Sequence, residues 1–498
     1  MVTSEQALSA TSRLHDALVR RRKSIATQYD YLNGKQPLKF ATSEWKSFHQ
    51  ERFKGFSDNW CEVVAQTPVD RLQIIGLRIS GSADTITGDE RQLWEDWQRN
   101  ELTSQSNQGF LASSVAKRSF TLVWGDEDDN PQVTWERPDQ AIIEYDDAGR
   151  KRLRALKSWA SDDIEYATLY LPDAVWKWQR PKSVVERASG AGLVLPSGLS
   201  AGIGGWVPRE VDDEEWPLPN PLGVVPMVEW PNRPRLGGDP ISDIDGVMAM
   251  QDTMNAMWGF LFPAADHASM PARVIMGGDM PKVPVLDADG QMIGTRPAKM
   301  EELNDKRFLY LTGAAKIGQY EAASADFFLK VIVQALGHVA AQTRTPGHYL
   351  LTNEKFANLN GDALTAAEVP LSDKVGNQQT HYNPAAKETA ALMALVRGKK
   401  DLADAIRGSD GARFVHWKDR AMHSLQQLAD AATKDRAVGM SLRTVLERRY
   451  GFTEPEIERE LNRIRDEQRI DPEALLDPVT LAAIKGAAGG DTNPPAGA

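Results

Sequence analysis

The stretch Ile241–Ala268, ISDIDGVMAMQDTMNAMWGFLFPAADHA, reads as one helix, with Ile244, Val247, Met248, Gln251, Met254, Asn255, Trp258 and Phe262 along one side. Asp239 or Ser242 is placed to cap its start. Its counterpart is Glu321–Ala341, EAASADFFLKVIVQALGHVAA, where Phe327, Phe328, Val331, Ile332, Ala335 and Val339 recur at helical spacing. Between them Pro271–Leu311 reads as strand and turn: Arg273–Met276, Val283–Leu286, the turn Asp287-Ala288-Asp289-Gly290, and Phe308–Leu311. A helix, a small β insert and a returning helix decide how the rest of the chain is read. Both helices are apolar on more than one side, so each needs a neighbour beyond its own partner.

Upstream, Leu14, Leu18, Ile25, Tyr29 and Leu32 predict a long helix that stops at Asn33-Gly34, with Pro37 beyond. Arg20, Arg21, Arg22 and Lys23 on it read as a solvated face, with phosphate or membrane contact as the alternative. Helices are also expected over Asn59–Leu72 and Asp89–Glu101. From Phe120 the pattern changes to alternation, through Val133–Trp135, Ala141–Tyr145, Leu153–Trp159, Tyr166–Leu171 and Val175–Gln179. Helices followed by a run of short strands indicate an α+β protein with an antiparallel sheet. Ser189–Gly238 is Gly/Pro-rich and holds one further short strand, Val224–Trp230.

Downstream, Thr343–Asn360 is a polar loop and a helical run begins near Asp362. Pro370 and Pro384 are expected to kink or break that run. Phe414–Trp417 alternates like an edge strand, and helices are expected at Leu425–Ala437, Leu442–Tyr450 and Pro455–Gln468. Gly451 would cap the second and Thr453 would start the third. The Gly/Ala/Pro-rich end reads as disordered.

The 498 residues carry 58 Lys+Arg against 69 Asp+Glu, a formal charge of −11. An acidic chain does not grip nucleic acid over its whole surface, because neutralising phosphate takes Lys and Arg. A single cysteine excludes an intramolecular disulfide and any Cys-rich metal site, and fits a reducing compartment. No window approaches ~18 uninterrupted apolar residues, so no transmembrane helix is expected. Met1–Ala10 lacks the order of a signal peptide.

Catalytic patterns are thin. Gly198-Leu199-Ser200-Ala201-Gly202 matches the G-x-S-x-G of a nucleophile elbow, but its flanks lack the strand and helix that the elbow needs. A cytoplasmic serine hydrolase using Ser200 with a distant His and Asp is the rival reading. No P-loop or G-x-G-x-x-G occurs, and the eight histidines show no metal-ligand spacing, so no cofactor and no metal are expected. Asp287-Ala288-Asp289-Gly290 lacks the central Gly and terminal Glu of a calcium loop and reads as a β-turn. Cys61 beside Trp60 reads as a small buried side chain, and the fourteen tryptophans as core and interface packing.

The order of elements, together with four stretches, resembles the portal protein of tailed double-stranded DNA phages, the head-to-tail connector, in the form common among long-tailed phages of actinobacteria. The stretches are Tyr29–Leu38 (YDYLNGKQPL), Phe53–Cys61 (FKGFSDNWC), Ser242–Ile244 through Gln251–Asn255 (QDTMN), and Ser424–Ala431 (SLQQLADA). The likeness runs from about residue 10 to about residue 475. It implies a portal fold assembling as a dodecameric ring: a wing over 1–239, stem helices over 240–268 and 321–342, and a clip over 269–320. A tunnel loop over 343–360 would follow, then a spine helix and wing return strand over 361–419, a crown over 420–476 and a disordered tail over 477–498.

The same resemblance implies a non-enzymatic virion protein at one capsid vertex, assembled in the host cytoplasm. Its channel would pass double-stranded DNA without sequence specificity during packaging and ejection. The implied partners are other copies of the chain, the terminase large subunit, the head-tail adaptor, and the major capsid and scaffold proteins, with no membrane. Arg344, His348, Asn353, Lys355, Asn358 and Asn360 would lie in the tunnel loop. Weak phosphate contact is one role for Arg344 and Lys355, and surface ion pairing is the other. Met254, Trp258, Phe327, Phe328 and Val331 would pack the stem. Pro370 departs from the unbroken spine helix usual in the family.

Overall fold

The computed structural model describes residues 2–36, 58–79, 87–182, 203–211, 214–269, 273–276, 282–286, 291–297, 308–311, 325–351, 361–421, 423 and 425–470. The chain forms two compact units. One comprises Met1–Tyr29, Val64–Ile244 and Leu359–Ala498, and the other Asp30–Val63 and Asp245–Asn358. In chain order the elements begin with α1 (Ser4–Leu32), α2 (Trp60–Val69), β1 (Ile74–Leu77), α3 (Gly88–Arg99) and α4 (Leu102–Ala116). Strands β2 (Arg118–Gly125), β3 (Pro131–Glu136), β4 (Ala141–Tyr145), β5 (Arg152–Ser161), β6 (Ile164–Tyr170) and β7 (Ala174–Pro181) follow. Short β8 (Val207–Pro208) and β9 (Leu218–Pro219) precede β10 (Met227–Pro231). Then come α5 (Met248–Ser269), β11 (Arg273–Met276), β12 (Lys282–Leu286), β13 (Met292–Pro297), β14 (Phe308–Leu311), α6 (Ala325–Thr343) and α7 (Gly347–Leu350). The chain continues with α8 (Gly361–Val396), α9 (Lys400–Gly408), α10 (Gly411–Phe414), β15 (Val415–Trp417), α11 (Leu425–Ala437), α12 (Leu442–Tyr450) and α13 (Glu454–Ile470).

In the first unit a sheet in the order β4-β5-β6-β7-β8 carries β9 beside β7, and a three-stranded sheet runs β10-β2-β3. All these pairings are antiparallel, so the expected α+β class holds. One face of the larger sheet packs on α1. Leu14 and Leu18 meet Leu156, Leu169, Trp176, Trp178 and Trp206 there, all buried. The apolar repeat that predicted α1 is therefore the stripe that closes this core. Helix α4 lies close on β3. At Gly109 an added Cβ would stand 2.1 Å from Trp135 Cε3, so only glycine lets the two backbones come this near.

Two sequence expectations change. The helix expected from Ile241 starts only at Met248; ahead of it Ser242 Oγ accepts the N–H of Ile244 and Asp239 pairs with Arg118. Pro370 and Pro384 do not break the run: α8 is continuous from Gly361 to Val396. Both prolines are exposed, and the carbonyls they leave without an intrahelical donor belong to exposed Ala366 and Thr380. The opposite side is held by Leu371, Val375, Tyr382, Ala386 and Ala390, each fully buried. No helix among the described residues is long and apolar enough to cross a membrane.

The second unit contains α5 and α6, which pack on one another, and two small pairs of strands. Strands β11 and β14 pair in parallel, and β12 and β13 pair antiparallel. Met292 and Ile293 of β13 are strongly exposed. The turn expected at Asp287–Gly290 lies outside the described residues.

Candidate functional site

Within the second unit the side chains of α5 hold two stretches that are distant in sequence. Gln251, with none of its surface exposed, accepts the backbone N–H of Trp60 at 2.8 Å. Its amide donates to the carbonyl of Asp58 and, at 3.3 Å, to Asn255 Oδ1. Asn255 Oδ1 also accepts the N–H of Asp58 at 3.3 Å, and Trp258 Nε1 donates to the Asp58 carboxylate at 2.9 Å. One turn back, Asp252 receives the Tyr31 hydroxyl at 2.7 and 2.8 Å, and Asn59 Nδ2 reaches the carbonyl of Leu32 at 2.6 Å. Helical spacing puts residues 251, 255 and 258 on one face, so one helix satisfies the backbone of one crossing segment. Three of the four sequence stretches singled out above, around Tyr31, Trp60 and Gln251–Asn255, meet in this polar clamp.

The clamp was not foreseen from sequence. Its signal was present, however: Gln251 and Asn255 fall in phase with the apolar positions of α5, where a polar side chain must find a buried partner. Cys61 sits beside it with no exposed surface. Burial, and then the nearby Asp252 charge, push its thiol up to about 12, so it is a small buried side chain as expected.

The residues expected to pack the stem divide in the structure. Met254 is fully buried and Trp258 belongs to the clamp, its ring stacked on Phe262 at 5.7 Å. On α6 the stripe Ile332, Ala335, Leu336 and Val339 is buried. Phe328 and Val331 are half-buried, and Phe327 meets the edge of Phe328 at 5.6 Å. Phe327 itself is 61% exposed, with Leu329 and Val333 each at 42%. Among the described residues, α6 therefore keeps three large apolar side chains exposed, Phe327 on one flank of the helix and Leu329 with Val333 on the other.

At the end of α6, Arg344 takes a left-handed conformation with φ 58°. The N–H of Thr345 then reaches the carbonyl of Ala340 at 3.1 Å, which closes the helix as a Schellman turn. Thr343 donates back to the Val339 carbonyl at 2.7 Å. Arg344 is consequently exposed and carried on a fixed turn at the entrance to the loop. The loop opens with the short α7, where the His348 ring meets Tyr349 edge-on at 4.5 Å. Asn353, Lys355, Asn358 and Asn360 lie outside the described residues, as does the whole Ser200 motif.

Two described histidines hold a glutamate closely, His416 with Glu447 at 2.7 Å and His15 with Glu165 at 2.8 Å, and the second is the more deeply buried. It faces no open site. His15 is 3% exposed, and Trp206 stands edge-on to it at 5.3 Å. Arg180 donates to the same carboxylate at 2.7 and 2.9 Å while lying over Trp206 at 4.1 Å. Burial opposes the charge on Glu165, but the His15 contact and the Arg180 guanidinium outweigh it and pull the carboxyl down to about 2. This is a fixed tie between α1 and the sheet. No group of three or more His, Cys, Asp or Glu among the described residues is arranged to hold a metal ion.

A family model described as phage portal protein, SPP1 Gp6-like, matches residues 12–473. Among curated proteins the chain is similar to the portal protein of Mycobacterium phage D29, 27% identical over 389 residues, covering 73% of this chain and 69% of that protein. The portal protein of Mycobacterium phage L5 is 25% identical over 385 residues, with the same coverages.

Proposed function

Since the chain belongs to the phage portal protein family, whose members are structural components of the virion at the capsid, we propose that it forms a dodecameric ring at one vertex. The ring would be a channel for packaging and ejecting DNA and a seat for the terminase large subunit and the head-tail adaptor. The observation that supports the ring is that α6 leaves large apolar side chains exposed on two flanks, Phe327 on one and Leu329 and Val333 on the other. In a ring of identical copies each subunit has a neighbour on both sides to cover them. On this reading α5 and α6 are the stem helices, residues 269–320 the clip, and residues 343–360 the tunnel loop, with the fixed Arg344 turn at its entrance. Residues 1–239 form the wing, α8 lies in the spine, and α11 to α13 belong to the crown at 420–476.

The acidic composition fits a conduit. A charge of −11 on each copy avoids the counterion-release affinity of a basic groove, so duplex DNA stays mobile. The chemistry is structural, and assembly would take place in the host cytoplasm with the major capsid and scaffold proteins. The test is a reconstituted assembly reaction with those two proteins, followed by immunogold labelling of this chain. Label at a single vertex of each particle is expected; label spread over many vertices, or absent from particles, rejects the reading.

A further inference from the structure

The larger sheet of the first unit has a second face, opposite the one packed on α1. Alternation along a half-covered antiparallel sheet puts polar residues outward, so an outward aromatic cluster needs a reason. Register aligns Trp159 of β5 with Tyr166 of β6, Tyr166 with Gln179 of β7, and Gln179 with Val207 of β8. The Trp159 and Tyr166 rings stack at 5.4 Å with 24° between their planes. Arg209, just beyond β8, is anchored by its N–H on the Lys177 carbonyl at 3.0 Å. Its guanidinium lies over both rings, 5.4 Å from Trp159 and 5.2 Å from Tyr166. These residues, with Ser161, Lys177, Gln179, Glu210 and Val211, line an open concavity of about 640 Å³.

The cations on this face differ in what they hold. Lys157 pairs with Glu136 at 2.7 Å, and Lys177 pairs with Glu214. Arg209, itself half-buried, has no side-chain hydrogen bond or ion pair among the described residues, and its buried Nε is without an acceptor. A guanidinium held over an aromatic pair has its planar fork restrained, and that fork is what receives a carboxylate through two hydrogen bonds.

We propose that this face is a docking site for a carboxylate-bearing peptide segment of another protein. Arg209 receives the carboxylate, and the apolar part of the segment lies against Trp159 and Tyr166. Charge favours a peptide over nucleic acid: a phosphate backbone needs several free cations, and here two of the three are already neutralised. Glu210 on the rim favours a segment with one carboxylate over a polyacidic run.

The test uses the full chain and a short peptide of Leu and Ser around a single Glu, labelled with an uncharged BODIPY dye and titrated by fluorescence anisotropy. Saturable binding is expected, and exchanging the Glu of the peptide for Gln should weaken it about tenfold, the effect of losing hydrogen bonds to a charged group. Arg209→Gln should weaken it as much, with the thermal midpoint and the assembled mass unchanged. Arg209→Lys, which keeps the charge and loses the fork, should weaken it as well. No saturable binding to the wild type overturns the proposal. So does a Gln peptide that binds as well as the Glu peptide, or a labelled oligo-dT that binds more tightly than either. The comparison of the two peptides on the wild type needs no variant to fold.

Discussion

Gln251 accepts the backbone N–H of Trp60 at 2.8 Å and sends its own amide to the carbonyl of Asp58, so a single side chain on α5 fixes both ends of the Asp58–Trp60 crossing. A buried amide used on both sides is costly to remove, because each backbone group it leaves behind is out of reach of water.

Gln251→Leu should therefore destabilise the second unit by about 1–3 kcal/mol per unsatisfied group. Urea unfolding should show an earlier first transition. Gln251→Glu keeps the acceptor for Trp60 but sets an oxygen against the Asp58 carbonyl, so it should cost at least as much; a clearly smaller loss would mean that the donated bond does not matter.

Gly109→Ala is expected to be among the most damaging single changes. Its Cβ would meet the Trp135 ring at 2.1 Å in a region with no room to yield, and overpacking of this kind costs about 1–3 kcal/mol or more. Soluble yield and melting temperature check this. A variant that melts with the wild type would mean that α4 and β3 separate easily.

Acid sensitivity should be traceable to Glu165. Its carboxyl is held down at about 2, below the ordinary glutamate value of about 4.5, so its stabilisation is present above about 4.5 and is lost as pH falls toward 2. Glu165→Gln should lower stability at neutral pH and flatten its dependence on pH across that window. An unchanged slope would remove the His15–Glu165–Arg180 tie from the account.

Cys61 should resist thiol reagents in the folded protein and react fully after denaturation, since its thiol is buried and pushed up to about 12. Rapid labelling of the native chain would contradict the packing described around α2.

Deleting residues 343–360 should leave assembly intact and impair packaging of DNA in a terminase-driven reaction. Loss of assembly instead would assign the loop a structural role.

Much of this was legible in the sequence because it rests on periodicity. The strands from β2 to β7, the C-terminal end of α1, the limits of α11 and α12, and the helix–insert–helix order all follow from spacing and caps; Gly451, for instance, takes the left-handed C-cap expected of it. α4 was hidden because its buried positions include Ser106, Ser113 and Ser114, which break the apolar stripe that marks a helix. Strand β13 was missed because an exposed hairpin needs no alternation. α8 survives two prolines because tertiary packing on its buried side overrides the local penalty. The clamp was illegible for a different reason: hydrogen bonds join Gln251 to a backbone segment far away in sequence, and no local pattern encodes such a partner.

In the proposed ring, other copies of the chain cover Phe327 and the other exposed apolar side chains of α6. Mass photometry of the purified full chain, with Phe327→Asp measured beside it, tests this most directly. Particles of about twelve times the 55.1 kDa chain are expected for the wild type. Phe327→Asp is expected to give folded single chains, because an unpaired charge buried in an apolar contact costs several kcal/mol. A wild type that stays at the mass of one chain, or a Phe327→Asp variant that assembles as the wild type does, would contradict it.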